Sequence, residues 1–259
     1  MSRVFTRFTA LAVLALLLLS PALLLEARAE PVQFQSADGL AITGEVTRPQ
    51  GETKTAIVLF HQAGSSRGEY LTIAPKLAEK GYLVLAIDQR SGNGFAGIAN
   101  ETAKRARKAS MGTKYTDAIP DLEAAVAYAR GPLGAEKVIV WGSSYSAALV
   151  LALAGQDQGF ADGVLAFSPG EYFSGRPAVK ANAAKIAVPV FITAAKSEAG
   201  KWAAIFKAIP DTTAKTGFVP KGVGLHGSSA LIPDRSTNED EYWGAVEAFL
   251  AQNLPPGPN

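Results

Sequence analysis

Residues 138–148 read Val138-Ile139-Val140-Trp141-Gly142-Ser143-Ser144-Tyr145-Ser146-Ala147-Ala148. An apolar run passes without a loop into an Ala-rich helical stretch. A short apolar run of this kind is a strand buried on both faces. Where such a strand turns straight into a helix, the junction residue sits in a strained backbone. The residues two before and two after it must then be small. Ser144 meets that demand, with Gly142 and Ser146 in those places. Ser143 does not, because the bulky Trp141 stands two residues before it. Ser146 is sterically allowed, between Ser144 and Ala148, but lies deeper, inside the predicted helix. Ser144 is therefore the candidate nucleophile, in a Gly-x-Ser-x-Ser pattern.

Outward from this junction the chain alternates. Pro31–Ala37 and Ala41–Arg48 read as two strands about a turn at Asp38-Gly39. Ala56–Phe60, Tyr82–Ile87, Lys137–Trp141, Gly163–Phe167 and Val188–Thr193 are buried strands, and Gly217–Val219 is a weak one. Helical patterns fill Glu69–Lys80, Asp117–Arg130, Ser146–Ala154, Lys201–Ile209 and Asp240–Asn253, with Gly81 and Gly131-Pro132 as stop signals. This alternation predicts an α/β fold: a mostly parallel sheet of about eight strands, helices on both faces, and an antiparallel N-terminal edge. The stretch Ser91–Tyr115, Gly-rich and then basic (Lys104, Arg105, Arg107, Lys108), reads as a solvated surface helix or a substrate-facing lid.

The 259 residues contain no cysteine, so disulfides and cysteine metal sites are excluded. Arg3 and Arg7, the apolar run Ala10–Leu25, and Ala27-Arg28-Ala29 stand in the order of a secretory signal peptide. A run of about 16 residues falls short of the roughly 20 that span a bilayer. Residues 1–29 are thus expected to be a cleaved leader, and 30–259 a single domain in the periplasm or outside the cell, with no stable membrane insertion. Without the leader, acidic and basic side chains balance, which leaves no basic surplus for nucleic acid.

A serine nucleophile needs a neighbouring base, and the chain has two histidines, His61 and His226. The Gly142–Ser146 junction resembles that of the α/β-hydrolases, and the resemblance implies the chain order Ser, acid, His. Only His226, in Gly224-Leu225-His226-Gly227, follows Ser144. The acid lies between them. Asp157, Asp162 and Asp211 precede strands, whereas sites form at the carboxyl ends of strands. Glu198 follows the strand ending at Thr193 and is the preferred acid, with Glu171, after the strand ending at Phe167, as the alternative. The loop His61-Gln62-Ala63-Gly64 follows the third strand. It is expected to supply one oxyanion-hole N–H, from Gln62 or in the alternative register from Ala63, and Tyr145 the other. His61 is expected to hold that loop.

Phe60–Gly64, Asp88-Gln89-Arg90-Ser91-Gly92, Gly142–Ser146, Ile192–Glu198 and His226-Gly227 together resemble the α/β-hydrolases, most of all the small dienelactone-hydrolase-like branch. The resemblance covers nearly all of residues 30–259. Dienelactone hydrolases use a cysteine nucleophile, so lactone specificity does not carry over. The family's acid position falls on Ser197, one residue before Glu198. The resemblance implies a serine hydrolase needing no cofactor and no metal, acting on a small-molecule ester through a Ser-His-acid triad. The connection from Ser168 to Val188 is too short for a large cap, which suits short acyl groups. Two other classes remain: a peptidase or acyltransferase using the same triad, and a non-catalytic binding protein on the same fold.

Overall fold

This computed structural model describes residues 29–174 and 178–257. The candidate leader lies outside them, except for Ala29, which pairs with Thr47 as the first residue of β1 (Ala29–Gln35). Gly39, at φ +82°, makes the turn, and β2 (Ala41–Thr47) returns antiparallel to β1. β3 (Thr55–Phe60) and β4 (Leu83–Ile87), linked through α1 (Ile73–Glu79), are buried along their length. Ala56, Val58 and Phe60 face one core while Ile57 and Leu59 face the other. That is why these strands read as continuous apolar runs rather than alternating ones.

A two-residue-wide hairpin, β5 (Gly94–Phe95) and β6 (Ile98–Ala99), leads into α2 (Glu101–Lys108). Then come α3 (Ile119–Arg130), β7 (Lys137–Ser143), α4 (Tyr145–Gln156), β8 (Gly163–Phe167), α5 (Val179–Ala183), β9 (Val190–Thr193), α6 (Ala199–Ala208), β10 (Lys215–Phe218) and α7 (Glu239–Asn253). The sheet order is β1-β2-β4-β3-β7-β8-β9-β10. β2 is antiparallel to both neighbours, and every pairing from β4 to β10 is parallel. The eight-stranded, mostly parallel sheet with an antiparallel N-terminal edge is the one expected from the sequence. Helices α3 to α6 cover one face and α1 with α7 the other.

Three local differences have physical causes. The expected helix over Glu69–Lys80 splits into a 3-10 turn, Arg67–Tyr70, and α1. Pro75 has no N–H and its ring opposes the carbonyl four residues back, so it is accommodated only in a first turn. The Ser91–Tyr115 segment is neither free nor fully solvated. Asn100 caps α2 by accepting from the Ala103 N–H at 2.7 Å. Arg105 donates to the Ala41 carbonyl at 2.9 Å and to Thr43 Oγ1, and Arg107 to the Gly92 carbonyl at 3.1 Å. Arg105 thus fastens the segment to β2, while Arg107 ties α2 back to the segment's own start. Finally, α5 has no periodic signal of its own in five residues; Glu171 caps it from outside, accepting from Val179 N–H at 3.0 Å and Lys180 N–H at 2.6 Å.

Candidate active site

At the carboxyl end of β7 the backbone turns at Ser144, with φ 59° and ψ −120°, and α4 begins at the next residue. This is a costly conformation for a residue with a side chain, of order 1–3 kcal/mol. Its N–H is held by the Phe167 carbonyl at 2.7 Å. Gly142 is obligatory here: a Cβ on it would stand 2.5 Å from the Ala147 nitrogen and the Ser146 carbonyl carbon. Ser146 is fully buried, and its Oγ donates to the His61 carbonyl at 2.6 Å while accepting from Gln89 Nε2 at 2.7 Å. Both bonds are structural, and they leave Ser146 no open side from which to attack.

The chain brings Ser144, His226 and Glu198 together. His226 follows β10 in a loop, and its Nε2 lies 2.8 Å from Ser144 Oγ. Its Nδ1 lies 2.9 and 3.0 Å from the two oxygens of Glu198. Glu198 ends a 3-10 turn, Lys196–Glu198, just after β9. Ser168 Oγ donates to Glu198 Oε2 at 2.8 Å and accepts the Gly227 N–H at 2.9 Å, tying the acid to the histidine loop. Lys201 approaches Glu198 at 3.2 Å from solvent. Burial pushes the Glu198 carboxyl up, but the Ser168 and His226 hydrogen bonds and the neighbouring charges outweigh it and hold it below the ordinary glutamate value. Glu171, the alternative acid, is spent on the N-terminus of α5.

The loop after β3 differs from its expected register. The Gln62 N–H, expected as an oxyanion donor, donates instead to Glu69 Oε2 at 2.8 Å. The Ala63 N–H has no hydrogen-bond partner among the described residues. The Tyr145 N–H opens α4, where a first-turn amide has no intrahelical acceptor. The Tyr145 ring is stacked on Tyr115 at 4.5 Å, and its hydroxyl accepts from Ser91 Oγ at 2.5 Å and Gln89 Nε2 at 2.9 Å. His61 is fully buried. Its Nδ1 lies 2.8 Å from the Gln62 carbonyl, and its Nε2 accepts the Gln89 N–H at 3.0 Å beside Asn100 Nδ2 at 3.1 Å. Burial depresses its basicity, so it is a neutral strut that holds the loop.

Ser168, Ser143 and Glu69 escaped the sequence reading. Ser168 carries a faint signal, since it directly follows the buried strand Gly163–Phe167; in the structure its φ is +55°. Glu69 carries none: in a helical pattern it reads as a surface acid, yet it is 1% exposed.

A mostly parallel eight-stranded sheet with a strained serine between β7 and α4 defines the α/β-hydrolase fold. Residues 51–201 match the model of the serine aminopeptidase S33 family, and the chain belongs to that family. A search of curated protein sequences finds no match. Among solved structures, an esterase from Pyrococcus furiosus superposes with a TM-score of 0.67 at 18% identity, over 88% of this chain and 93% of that one. A dienelactone hydrolase from Anabaena variabilis gives 0.66 at 16% identity, over 88% and 99%. The Pyrococcus horikoshii acylaminoacyl peptidase gives 0.67 at 15%, over 90% of this chain but 43% of that one. Family and neighbours together support a serine hydrolase.

Proposed function

We propose that the chain is a serine carboxylesterase for small, short-acyl esters, with Ser144 as nucleophile, His226 as base and Glu198 as the acid that orients it. The observation that carries the reading is the 2.8 Å approach of His226 Nε2 to Ser144 Oγ, with Ser144 held in a strained turn. His226 takes the Ser144 proton as the oxygen attacks the ester carbonyl. Ionised Glu198 fixes the Nδ1–H tautomer and stabilises the imidazolium. The carbonyl oxygen becomes an oxyanion received by the N–H groups of Tyr145 and Ala63, the latter taking the place first given to Gln62. Each such donor is worth about 3 kcal/mol of barrier. His226 then protonates the leaving alcohol. Water, deprotonated by the same ring, releases the acid and restores Ser144.

Short acyl groups fit the short chain between β8 and β9. There Tyr172 folds back and donates to the Ser168 carbonyl at 2.7 Å instead of opening into a cap. An aminopeptidase reading draws on the family description, but such an enzyme needs a free carboxylate for the substrate ammonium. The carboxylates hydrogen-bonded into this site, Glu198 and Glu69, are both already engaged. The leader pattern in residues 1–29 supports export. N-terminal sequencing of the protein recovered from a bacterial periplasm would begin at Glu30, and an intact Met1 would reject export.

The test is a fluorophosphonate probe with the adduct mapped by mass spectrometry, alongside hydrolysis of p-nitrophenyl acetate and an aminoacyl p-nitroanilide. Labelling of Ser144, lost in S144A, with turnover of the acetate, is the expected result. Labelling with turnover of the anilide alone would make the protein a peptidase. No adduct and no turnover would leave a binding protein.

A further inference from the structure

Glu69 is a buried acid that the mechanism above does not use. It lies in the turn Arg67–Tyr70, beneath three loops at once. Its Oε2 accepts the Gln62 N–H at 2.8 Å, and Gln62 adjoins Ala63. Its Oε1 accepts Ser143 Oγ at 2.7 Å, and Ser143 adjoins Ser144. Ser143 Oγ in turn accepts the Ser228 N–H at 2.9 Å, two residues after His226. Gly227 lies so close on this cluster that a Cβ would collide with Ser143 Oγ and meet Gln62 Oε1 at 3.3 Å. Among the described residues no lysine or arginine forms a salt bridge with Glu69.

The two protonation states of this carboxyl are not equivalent. As a carboxylate it accepts from both Gln62 and Ser143, and every proton in the cluster has an acceptor. Once protonated, its O–H displaces a donor it now accepts: on Oε2 it opposes the Gln62 N–H, and on Oε1 it opposes the Ser143 hydroxyl, whose hydrogen then needs another acceptor. Stranded buried donors are costly, so the loops would relax.

We infer that Glu69 is a positioning residue that works in its ionised form: its carboxylate pulls the Gln62 N–H inward and thereby leaves the next amide, Ala63 N–H, set for the oxyanion. The inference rests on the esterase reading above. Burial pushes this carboxyl up to about 7, against the hydrogen bonds from Gln62, Ser143 and Ser65 and the positive charge of Arg235. The other titratable neighbour on its own turn, Tyr70, is driven well above the usual phenol range by burial and by Glu69 itself, so it stays neutral. Its hydroxyl donates to the Phe60 carbonyl at 2.7 Å. Loss of a proton from Glu69, besides that from His226, is therefore required for full activity.

The experiment is the pH profile of kcat/KM for p-nitrophenyl acetate between pH 5 and 9, with circular dichroism confirming the fold at each pH. In the wild type, log kcat/KM should climb with a slope approaching 2 on the acid side, because two protons must leave. E69Q should lower kcat about 10-fold or more at pH 8, with KM little changed, and its acid limb should have slope 1. S143A removes a donor to the carboxylate and should move the second limb to higher pH. A wild-type slope of 1 overturns the inference without any variant, as does an E69Q enzyme with wild-type kcat and slope. Fluorophosphonate labelling separates the two failures. If Ser144 is not labelled at pH 8, the esterase reading falls and this inference with it; if it is labelled while the slope is 1, only this inference falls.

Discussion

The loops after β3 and after β10 each carry one of the two histidines at the carboxyl edge of the sheet, and they use the ring in opposite ways. His61 is fully buried and both of its nitrogens are committed, Nδ1 to the Gln62 carbonyl and Nε2 to the Gln89 N–H. The His226 side chain is 41% exposed, with one nitrogen on an acid and the other on a hydroxyl. A base must have one nitrogen fixed and one free to trade a proton. His226 has that division, and His61 has spent both nitrogens on the backbone. Residue type therefore says little here, and the partners of the two ring nitrogens say nearly everything.

The comparison breaks most visibly under substitution. H226A should reduce kcat on the order of 10⁴-fold or more, with Tm within a few degrees of wild type, since a partly exposed ring contributes little to packing. Next, E198Q should cost roughly 10³- to 10⁴-fold in kcat, because an amide no longer enforces the Nδ1–H tautomer. Steady-state kinetics beside thermal unfolding reads both, and an E198Q enzyme retaining most of its activity would return the acid's role to Glu171.

H61A should show the reverse pattern. Removing the strut strands the buried Gln89 N–H, takes from the Gln62 carbonyl one of its two donors and leaves a void where the ring stood, costing about 2–4 kcal/mol of stability. Urea unfolding would read this as a lower midpoint. A fall in kcat as deep as that of H226A, with stability intact, would erase the distinction between the two rings.

The smallest effect concerns Glu69 and pH. Its folded value lies above the ordinary glutamate value, so between about pH 4.5 and 7 the folded state holds a proton that the unfolded chain has lost. Stability from this group is present at low pH and lost as pH rises through that window, by up to about 3 kcal/mol. E69Q lacks the titration. The Tm of E69Q relative to wild type should therefore climb from pH 5 to 8, by roughly 5–10 °C. A difference that stays constant over this range would mean that Glu69 does not titrate there.

How far the sequence could be read depends on how local each feature is. The Ser144 turn was legible because its demands fall within two residues: Gly142 leaves no room for a Cβ, and Ser146 is small. That Glu198 rather than Glu171 lies beside the histidine loop followed from the order of strands and loops. Which amide of the loop after β3 is left without a partner was not legible, because Gln62 and Ala63 look alike until Glu69 claims the Gln62 N–H. Glu69 itself meets Ser143 from 74 residues away, and Ser143 meets Ser228 from 85. Side chains facing solvent and side chains facing a loop junction look alike in a helical pattern.

Alternating buried runs and helical patterns sufficed for the parallel sheet and its antiparallel edge, since strand and helix periods are written in neighbouring residues. The same holds for the strained turn at Ser144 and for which histidine follows it in the chain. The meeting of three loops over Glu69, the bridge from Ser168 to Glu198, and the contrast between a buried His61 and a half-exposed His226 came from packing alone. Burial and hydrogen-bond partners at these points are set by segments far apart in the chain, and only the closed sheet brings them within reach.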